Sequence, residues 1–484
     1  MKKKYIAVIL GTYLSFGLTG NIISNAQEII TDKSNIQKEN TMIINEKIPQ
    51  NMTKITKHPL TKEKILVNTS IKNLNIADKN ATEKTKKLLS YLKNVTKQNK
   101  FIFGQQNDVI NSVKANMLIS SASEELKNSH NSTEEIQSVH DNLDSYFAHS
   151  NSKDLTGSIT GMFGIDGLSL TGDETHLSNP EEALKKSINV SLKAAKEGAL
   201  ITLSCHMPNF SSENIQKLPN GKYDFTKCTY MDSCDFSGSI QDIMPNGKYH
   251  SEFTAYLDII ADYALALQKQ DIPVLFRPFH ENSGSWFWWG GEHLTPQESI
   301  DLFRYTADYL KNKGVHNFIY VYSPNGPVTN EQEYMLRYPG DDYVDILAFD
   351  QYIFYQKDNS SYNKEVFHSF QKSCENLNKI AKKHNKVAGI AETGAGITYP
   401  ETNSNAGGLL MSDNKIFGKN WFKQVGQVAI DNDIAYCLIW ANFNPYNCFI
   451  PYKYNNEYGH ELCNDFIDFY NWDKVIFANN TNFY

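Results

Sequence analysis

The sequence of 484 residues predicts an α/β protein whose main domain is a closed (β/α)8 TIM barrel with long loop insertions. Three observations carry this prediction: eight apolar runs of strand length, amphipathic helical patterns between most of them, and polar residues at several of their ends. The runs lack the alternation of half-exposed strands, so both faces of each strand are expected to be covered. The runs are 101–105, 158–166, 199–206, 273–279, 317–323, 344–352, 386–393 and 435–442.

Helical signals separate these runs. Thr295, Pro296 and Glu298 match a capping box with proline at the first helical position, and apolar residues then recur every three or four positions up to Gly314. An open doubly wound sheet is the alternative fold, but the Gly-rich phosphate turn that usually follows its first strand is missing. Further helices are predicted at about 81–98, 180–197, 253–267, 363–384, 417–431 and 459–470.

The chain divides into three regions. Residues 1–26 have a lysine-rich start, an apolar run and small residues at the end, which predicts a secretory signal peptide. An uncleaved membrane anchor is the alternative, because the apolar run approaches membrane-spanning length. Residues 27–80 are polar and aperiodic, so we expect a disordered linker or pro-segment, with a short β module as the alternative. The catalytic domain is expected over 81–484, with insertions at about 107–157 and 207–250.

Charge and composition restrict the partners. Lys and Arg number 47 against 54 Asp and Glu, giving a formal net charge of −7. This balance argues against nucleic acid and against an anionic membrane surface, both of which favour basic patches. No segment after the signal peptide is apolar enough to span a bilayer. The sequence contains no CxxC pair and so gives no signal for a zinc site. The mature protein is therefore expected to be soluble, secreted and extracellular.

Polar side chains stand where several predicted strands end, and in a barrel these ends share one rim. Glu281 and Glu392 follow the fourth and seventh runs, which lie roughly opposite each other, so the two carboxylates could bracket one bond. Glycoside hydrolysis needs such a pair of carboxylates. For either glutamate alone, a salt bridge to a neighbouring basic residue is the structural alternative. The polar residues at the strand ends are His206, His280 with Glu281, Asp350 with Tyr352, Glu392, and Trp440.

The stretch 277–290, RPFHENSGSWFWWG, holds three of the six tryptophans. An exposed aromatic cluster on a loop needs a partner, and the apolar C–H faces of sugar rings suit flat aromatic surfaces. The alternative is that the cluster folds under the loop as a second core. A zinc-protease motif is excluded because position 284 is glycine, and no G-x-S-x-G elbow is present.

This stretch, together with Glu392 in the sequence Ala-Glu-Thr-Gly, resembles glycoside hydrolase family 26. The resemblance extends over most of residues 100–450. It implies a (β/α)8 barrel, a retaining mechanism, no cofactor, no metal, and a β-mannan as the polysaccharide partner. The family consists mainly of secreted endo-β-1,4-mannanases.

Position by position, the resemblance implies that Glu281 is the general acid/base and Glu392 the nucleophile. It implies that His280 contacts the nucleophile, that Tyr352 forms a hydrogen bond to it, and that Asp350 is a supporting carboxylate nearby. The acid/base must begin protonated, so Glu281 needs a raised pKa. We expect hydrogen bonds from Tyr352 and His280 to favour the ionised nucleophile.

The resemblance also implies that His206, Trp286 and Trp440 line the subsites around the cleaved bond. In one respect this chain departs from the family, since Ala441 stands where an arginine often follows the tryptophan of the last strand. The resulting hypothesis is a monomeric, retaining endo-glycosidase that hydrolyses β-1,4-mannosidic bonds in mannan, glucomannan or galactomannan by double displacement. A mixed-linkage β-glucanase, a β-1,3-xylanase and a non-catalytic polysaccharide-binding protein stay open as alternatives.

Overall fold

The computed structural model describes residues 52–72, 74–113, 150–175, 177–400, 404–408, 420–445, 447–481 and 483–484. The predicted signal peptide, the start of the polar segment 27–80 and most of the insertion 107–157 lie outside the described residues. Each predicted strand is present within a few residues of its expected bounds. The barrel strands are β1 Phe101–Gln106, β2 Met162–Asp166, β3 Leu200–Cys205, β4 Val274–Pro278, β5 Phe318–Tyr322, β6 Ile346–Asp350, β7 Val387–Thr393 and β8 Ile434–Ile439.

Parallel pairing closes these strands into a barrel, which confirms the predicted fold class. In the described part of the chain, each of the eight strands pairs with the next one in sequence, and β8 pairs with β1. Tyr436 stands opposite Ile102 and Ile439 opposite Gln105 in the closing pair. Short strands outside the barrel are Thr53–Lys54, Gln216–Lys217, Tyr223–Asp224, Ile353–Tyr355, Ala395–Tyr399, Ser404–Gly407, Tyr458–Gly459 and Val475–Ile476.

Helices surround the barrel and follow the predicted pattern. The capping box before the fourth long helix forms as expected, with the Thr295 hydroxyl accepting from the Glu298 N–H and the Glu298 carboxylate accepting from the Thr295 N–H. Among the described helices, none combines the length and hydropathy needed to cross a membrane. The longer helices are α1 Glu83–Val95, α2 Pro180–Glu197, α3 His250–Gln268, α4 Pro296–Asn312, α5 Ser360–Lys383, α6 Trp421–Asp431 and α7 Cys463–Tyr470. Shorter helical turns are Thr96–Gln98, Asn151–Thr156, Gly167–Thr171, Tyr230–Cys234, Ile240–Ile243, Glu331–Tyr334 and Ala478–Asn480.

Helix α1 closes the amino-terminal end of the barrel. Its buried residues Leu88 and Leu92 belong to the same apolar cluster as Ile102, Met162 and Leu275, which point into the barrel from the strands. In the described strands of the barrel, the charged side chains lie toward the carboxyl ends. The fold leaves one rim where chemistry can take place, as barrels of this class do.

The described part of the polar segment, residues 52–80, differs from the linker expected there. Thr53–Lys54 pairs with Tyr458–Gly459, and the buried N–H of Ala77 donates to the Asp345 carboxylate at 2.7 Å. Ile76 is also buried, within the cluster that α1 helps to form. Other apolar residues of this segment differ in burial, since Ile65 and Val67 pack partly against the same cluster while Leu66 is exposed, so their sequence shows no sustained period.

A substitution in α1 tests the closed end of the barrel. Leu88 is fully buried, so Leu88→Ala removes apolar contacts and leaves a cavity. We expect the free energy of unfolding to fall by about 2–5 kcal/mol in urea titrations of the full chain. The control Leu336→Ala, at a side chain that is 53% exposed, should change it by less than about 0.5 kcal/mol. Equal effects of the two substitutions would contradict this role of α1.

Candidate active site

A layer of polar side chains fills the carboxyl end of the barrel. Alternate residues of a strand point to the same face. Leu275 lies inside the barrel, so Arg277, two residues later, points inward near the end of β4. By the same alternation Ala348 is followed by Asp350 at the end of β6, and the acidic side chain enters the same layer.

Arg277 joins two of the carboxylates. Its Nη1 donates to Asp350 Oδ2 at 2.7 Å, and its Nη2 donates to Glu392 Oε1. Burial opposes the charge of Arg277, but the two carboxylates outweigh this effect and raise its pKa. The Ser323 hydroxyl donates to the other oxygen of Asp350. Burial raises the pKa of Asp350, while the positive charge of Arg277 acts in the opposite direction. Arg277 therefore holds both acidic side chains in fixed positions.

Glu392 is held at both of its oxygens. The Tyr352 hydroxyl donates to Oε2 at 3.0 Å, and Arg277 donates to Oε1. Burial and the negative charge of Glu392 raise the pKa of Tyr352, which keeps the phenol protonated as a donor. Both donors favour an ionised Glu392. His280 Nε2 lies 3.9 Å from Oε1, which is a contact and not the hydrogen bond expected from the sequence.

Glu281 has the opposite environment. Burial, followed by the negative charges of Glu392 and Asp350, raises its pKa well above the usual value. Its side chain accepts one hydrogen bond, from Trp286 Nε1 to Oε2 at 2.6 Å. A buried glutamic acid with these neighbours stays protonated and can donate a proton to a bound molecule. The two glutamates thus lie at one rim in different surroundings.

The backbone at Glu281 is strained. Phe279 and Glu281 have φ angles of +51° and +54°, in the left-handed region that side chains other than glycine rarely adopt. Such residues cost about 1–3 kcal/mol each and persist where surrounding contacts hold them. Here the Glu281 N–H donates to the Ser323 carbonyl at 2.7 Å, which ties the end of β4 to the end of β5.

A second buried network connects Asp166, at the end of β2, to the glutamate pair. Asp166 accepts from the backbone N–H of His206 at 3.0 Å and lies 2.9 Å from His206 Nδ1. His206 Nε2 in turn lies 3.2 Å from His280 Nε2. Burial opposes a charge on His206, but Asp166 outweighs it and raises the pKa of His206. Burial and the charges of Arg277 and His206 lower the pKa of His280, so His280 is the neutral acceptor of this pair.

The aromatic loop after β4 is mostly core. Trp288 and Trp289 are buried, and their indole N–H groups donate to the backbone carbonyls of Met207 and His280. Trp286 is half-buried and is the tryptophan of the three that faces the site, through Glu281. Trp440 is half-buried after β8, with its ring centroid 6.2 Å from that of His206. The loop is therefore partly the second core that the sequence left open as an alternative.

The structure brings all eight sequence-predicted site residues to this rim. Sequence reasoning assigned no role to Arg277 or Asp166, although each was a polar residue within or at the end of an apolar run. The sequence signal that could have found both residues is the alternation of side chains along a strand, which places them on the inner face of the barrel. Atoms of His280, Asp350 and Glu392 lie within 4.8 Å of one another, as metal ligands would. This set does not fit a cation, because the Arg277 guanidinium already bonds both carboxylates from between them.

Comparison with known proteins identifies related sequences. Residues 77–425 match the profile described as Glycosyl hydrolase family 26. A mannan endo-1,4-beta-mannosidase of Bifidobacterium adolescentis is 31% identical over 382 residues, which is 77% of this chain and 32% of that protein. Another, of Bacillus subtilis, is 31% identical over 211 residues, which is 41% of this chain and 52% of that protein. The aligned part thus spans between a third and about half of the length of these curated relatives.

Solved structures show the same barrel. The catalytic domain of a GH26 endo-beta-1,4-mannanase from Bacillus sp. JAMB-750 superposes with a TM-score of 0.64 at 30% identity. The superposition covers 85% of this chain and 95% of that domain. The similarity thus includes nearly the whole of a solved catalytic domain.

Asp166→Asn tests the histidine network. Removing the negative charge beside His206 Nδ1 removes the main group that raises the pKa of His206, so this pKa should fall. Titration of 15N-histidine-labelled protein by NMR measures it directly. The control Asp301→Asn, on the exposed face of α4, should leave the titration unchanged. An unchanged His206 titration in Asp166→Asn would contradict the network.

Proposed function

Since the chain belongs to glycosyl hydrolase family 26, we propose that it is a retaining endo-glycosidase that hydrolyses β-1,4-mannosidic bonds in mannan, glucomannan or galactomannan. The observation that carries the proposal is the pair Glu281 and Glu392. The two side chains are buried at one rim of the barrel, one protonated by its surroundings and the other held by donors at both oxygens. Relatives named as mannan endo-1,4-beta-mannosidases support the choice of substrate.

The reaction proceeds in two steps of double displacement. First, a carboxylate oxygen of Glu392 attacks the anomeric carbon while Glu281 gives its proton to the oxygen of the leaving sugar. This step breaks the glycosidic bond and forms a covalent glycosyl-enzyme. Next, the Glu281 carboxylate takes a proton from water, and the resulting hydroxyl attacks the anomeric carbon. The bond to Glu392 breaks, and both glutamates return to their starting states.

Neighbouring groups support these roles. Arg277 and Tyr352 hold the carboxylate of Glu392 in one orientation, so the attacking oxygen needs little reorganisation. Trp286 places Glu281 through its indole N–H and offers its half-buried ring to a sugar. The His206 ring packs against the rings of His280 and Trp440, and the three side chains form one side of the site. This side of the site combines polar edges with aromatic faces, which suits a neutral carbohydrate.

The location of the enzyme is part of the same proposal. The basic start, apolar run and small residues of 1–26 support secretion to the extracellular medium, where polysaccharides are found. We propose that the secreted enzyme acts as a monomer without a membrane partner. Mixed-linkage β-glucan and β-1,3-xylan are the competing substrates, and a non-catalytic binding role is the competing function.

A substrate assay with a nucleophile variant tests the proposal. We expect the protein to release reducing ends from mannan in preference to mixed-linkage glucan or xylan. Glu392→Ala should lower turnover by at least about a thousandfold, because the attacking group is lost. The control Glu182→Ala, on the exposed surface of α2, should keep full activity. NMR of the first products should show retention of anomeric configuration.

Several outcomes would contradict this assignment. Inverted products would exclude double displacement, and full activity of Glu392→Ala would exclude Glu392 as the nucleophile. If glucan or xylan were cleaved and mannan were not, the mechanism would stand and the substrate would be wrong. An inactive parent chain that still binds mannan would indicate the binding role.

A pH profile tests Glu281 as the acid. Activity should fall on the basic side as Glu281 loses its proton. Burial raises the pKa of Glu281, and this is the stronger effect. The hydrogen bond from the Trp286 N–H stabilises the charged carboxylate and so lowers the pKa. Trp286→Phe should therefore move the basic limb of kcat/KM to higher pH, while the control Trp472→Phe should not. A limb that stays in place or moves to lower pH would contradict the assignment.

A further inference from the structure

A cavity of about 270 Å³ lies beside the aromatic loop, outside the catalytic rim. Its lining comes from the insertion between β3 and α3, from the end of the loop after β4 and from the first turn of α4. The apolar part of the lining includes Phe210, Ile240 and Trp288, and the more exposed part includes Phe236, Glu292 and His293. Polar groups form the larger part of the lining and apolar side chains the rest, a mixture that suits a neutral polar ligand with an apolar face.

One wall separates this cavity from the glutamate pair. Trp288 lines the cavity, and its indole Nε1 donates to the carbonyl of Met207, the residue after His206. The preceding residue, Phe287, has its ring centroid 5.2 Å from that of His206 and 5.4 Å from that of His280. Phe287 thus contacts the two histidines of the catalytic rim, and the next residue of the same loop lines the cavity. A ligand in the cavity would lie close to the catalytic cleft without entering it.

Phe236 provides an aromatic surface at the mouth of the cavity. Its side chain is 47% exposed, which is unusual for phenylalanine, and it stacks on His293 with ring centroids 3.9 Å apart and an interplanar angle of 10°. His293 Nε2 lies 3.1 Å from the Ser285 carbonyl, which holds the stack against the loop. A phenyl ring held in this way offers flat apolar area with little further loss of conformational freedom.

The edge of the cavity restricts the charge of its ligand. Glu292 and Glu298 both line it, and Gln241 donates to Glu298 Oε1 at 2.7 Å. These carboxylates disfavour an anion and accept hydrogen bonds from hydroxyl groups. The volume is near the lower end of ligand sites, which run from roughly 300 to 1,000 Å³, so a unit as small as one sugar ring is appropriate.

We propose that this cavity is a second carbohydrate-binding site, which holds one sugar unit of a neutral polysaccharide against Phe236. The identification of that polysaccharide as a β-mannan rests on the proposed function. A polymer bound at both places gains from the high effective concentration of its second segment. A short oligosaccharide that fills only the catalytic cleft gains nothing. The site therefore favours long chains over short ones.

Affinity electrophoresis of the full chain tests the binding. Glu392→Gln serves as the parent, so that galactomannan in the gel is not cleaved. Adding Phe236→Ala should weaken retardation by about three- to tenfold in Kd, because a stacked aromatic contact is lost. The control Met231→Ala removes another exposed apolar side chain of the same insertion, 64% exposed and outside the cavity lining, and should leave retardation unchanged. Thermal unfolding checks that each variant is folded, and His293→Ala serves as the second variant.

Kinetics with the native Glu392 separate this site from the catalytic cleft. Phe236→Ala should lower kcat/KM on galactomannan about three- to tenfold more than on mannotetraose. Unchanged retardation, or equal losses on the two substrates, would overturn the inference. A different result would contradict the proposed function, namely that the wild-type chain cleaves no mannan. If the wild-type chain cleaves mannan and Phe236→Ala has the same activity and retardation, the second site is rejected and the proposed function stands.

Discussion

The buried ion pairs of Arg277 are the interaction on which the site depends. Asp350, Glu392 and Glu281 place three acidic side chains in one buried layer, and an isolated buried carboxylate is costly. Arg277 compensates for part of this charge through its two bonds. The remaining repulsion, together with burial, keeps a proton on Glu281. One guanidinium thus bonds to Glu392 while Glu281 keeps its proton, and this difference is the one that the proposed double displacement would use.

The barrel makes this arrangement possible by giving rigid support from every side. Helix α1 and the apolar inner residues close one end, so the polar layer lies at the other. The left-handed backbone at Phe279 and Glu281 departs from strand geometry at the point where β4 ends. The hydrogen bond from the Glu281 N–H to the Ser323 carbonyl stabilises this backbone conformation. Strain at such a position is tolerated because the strands around it cannot relax independently.

The loop after β4 contacts both the catalytic rim and the outer cavity. Trp286 donates to Glu281, Phe287 packs against His206 and His280, and Trp288 lines the outer cavity. The close-packed rings of this loop form a wall between two concave surfaces. A polysaccharide that bound on both faces of this wall would connect the proposed second site to the proposed catalytic one.

The sequence by itself determined the barrel strands, the long helices and the glutamate pair. These features depend on local period, capping residues and the polar ends of apolar runs, which short stretches of chain carry on their own. Tertiary structure decided the partners of Arg277, the network of Asp166 with His206, the burial of Trp288 and Trp289, and the packing of the described residues of 52–80. Each of these depends on groups that are distant in the chain, such as Arg277 with Asp350 or Ala77 with Asp345. A local pattern cannot encode such pairs, because they form only when the closed sheet brings its strand ends together.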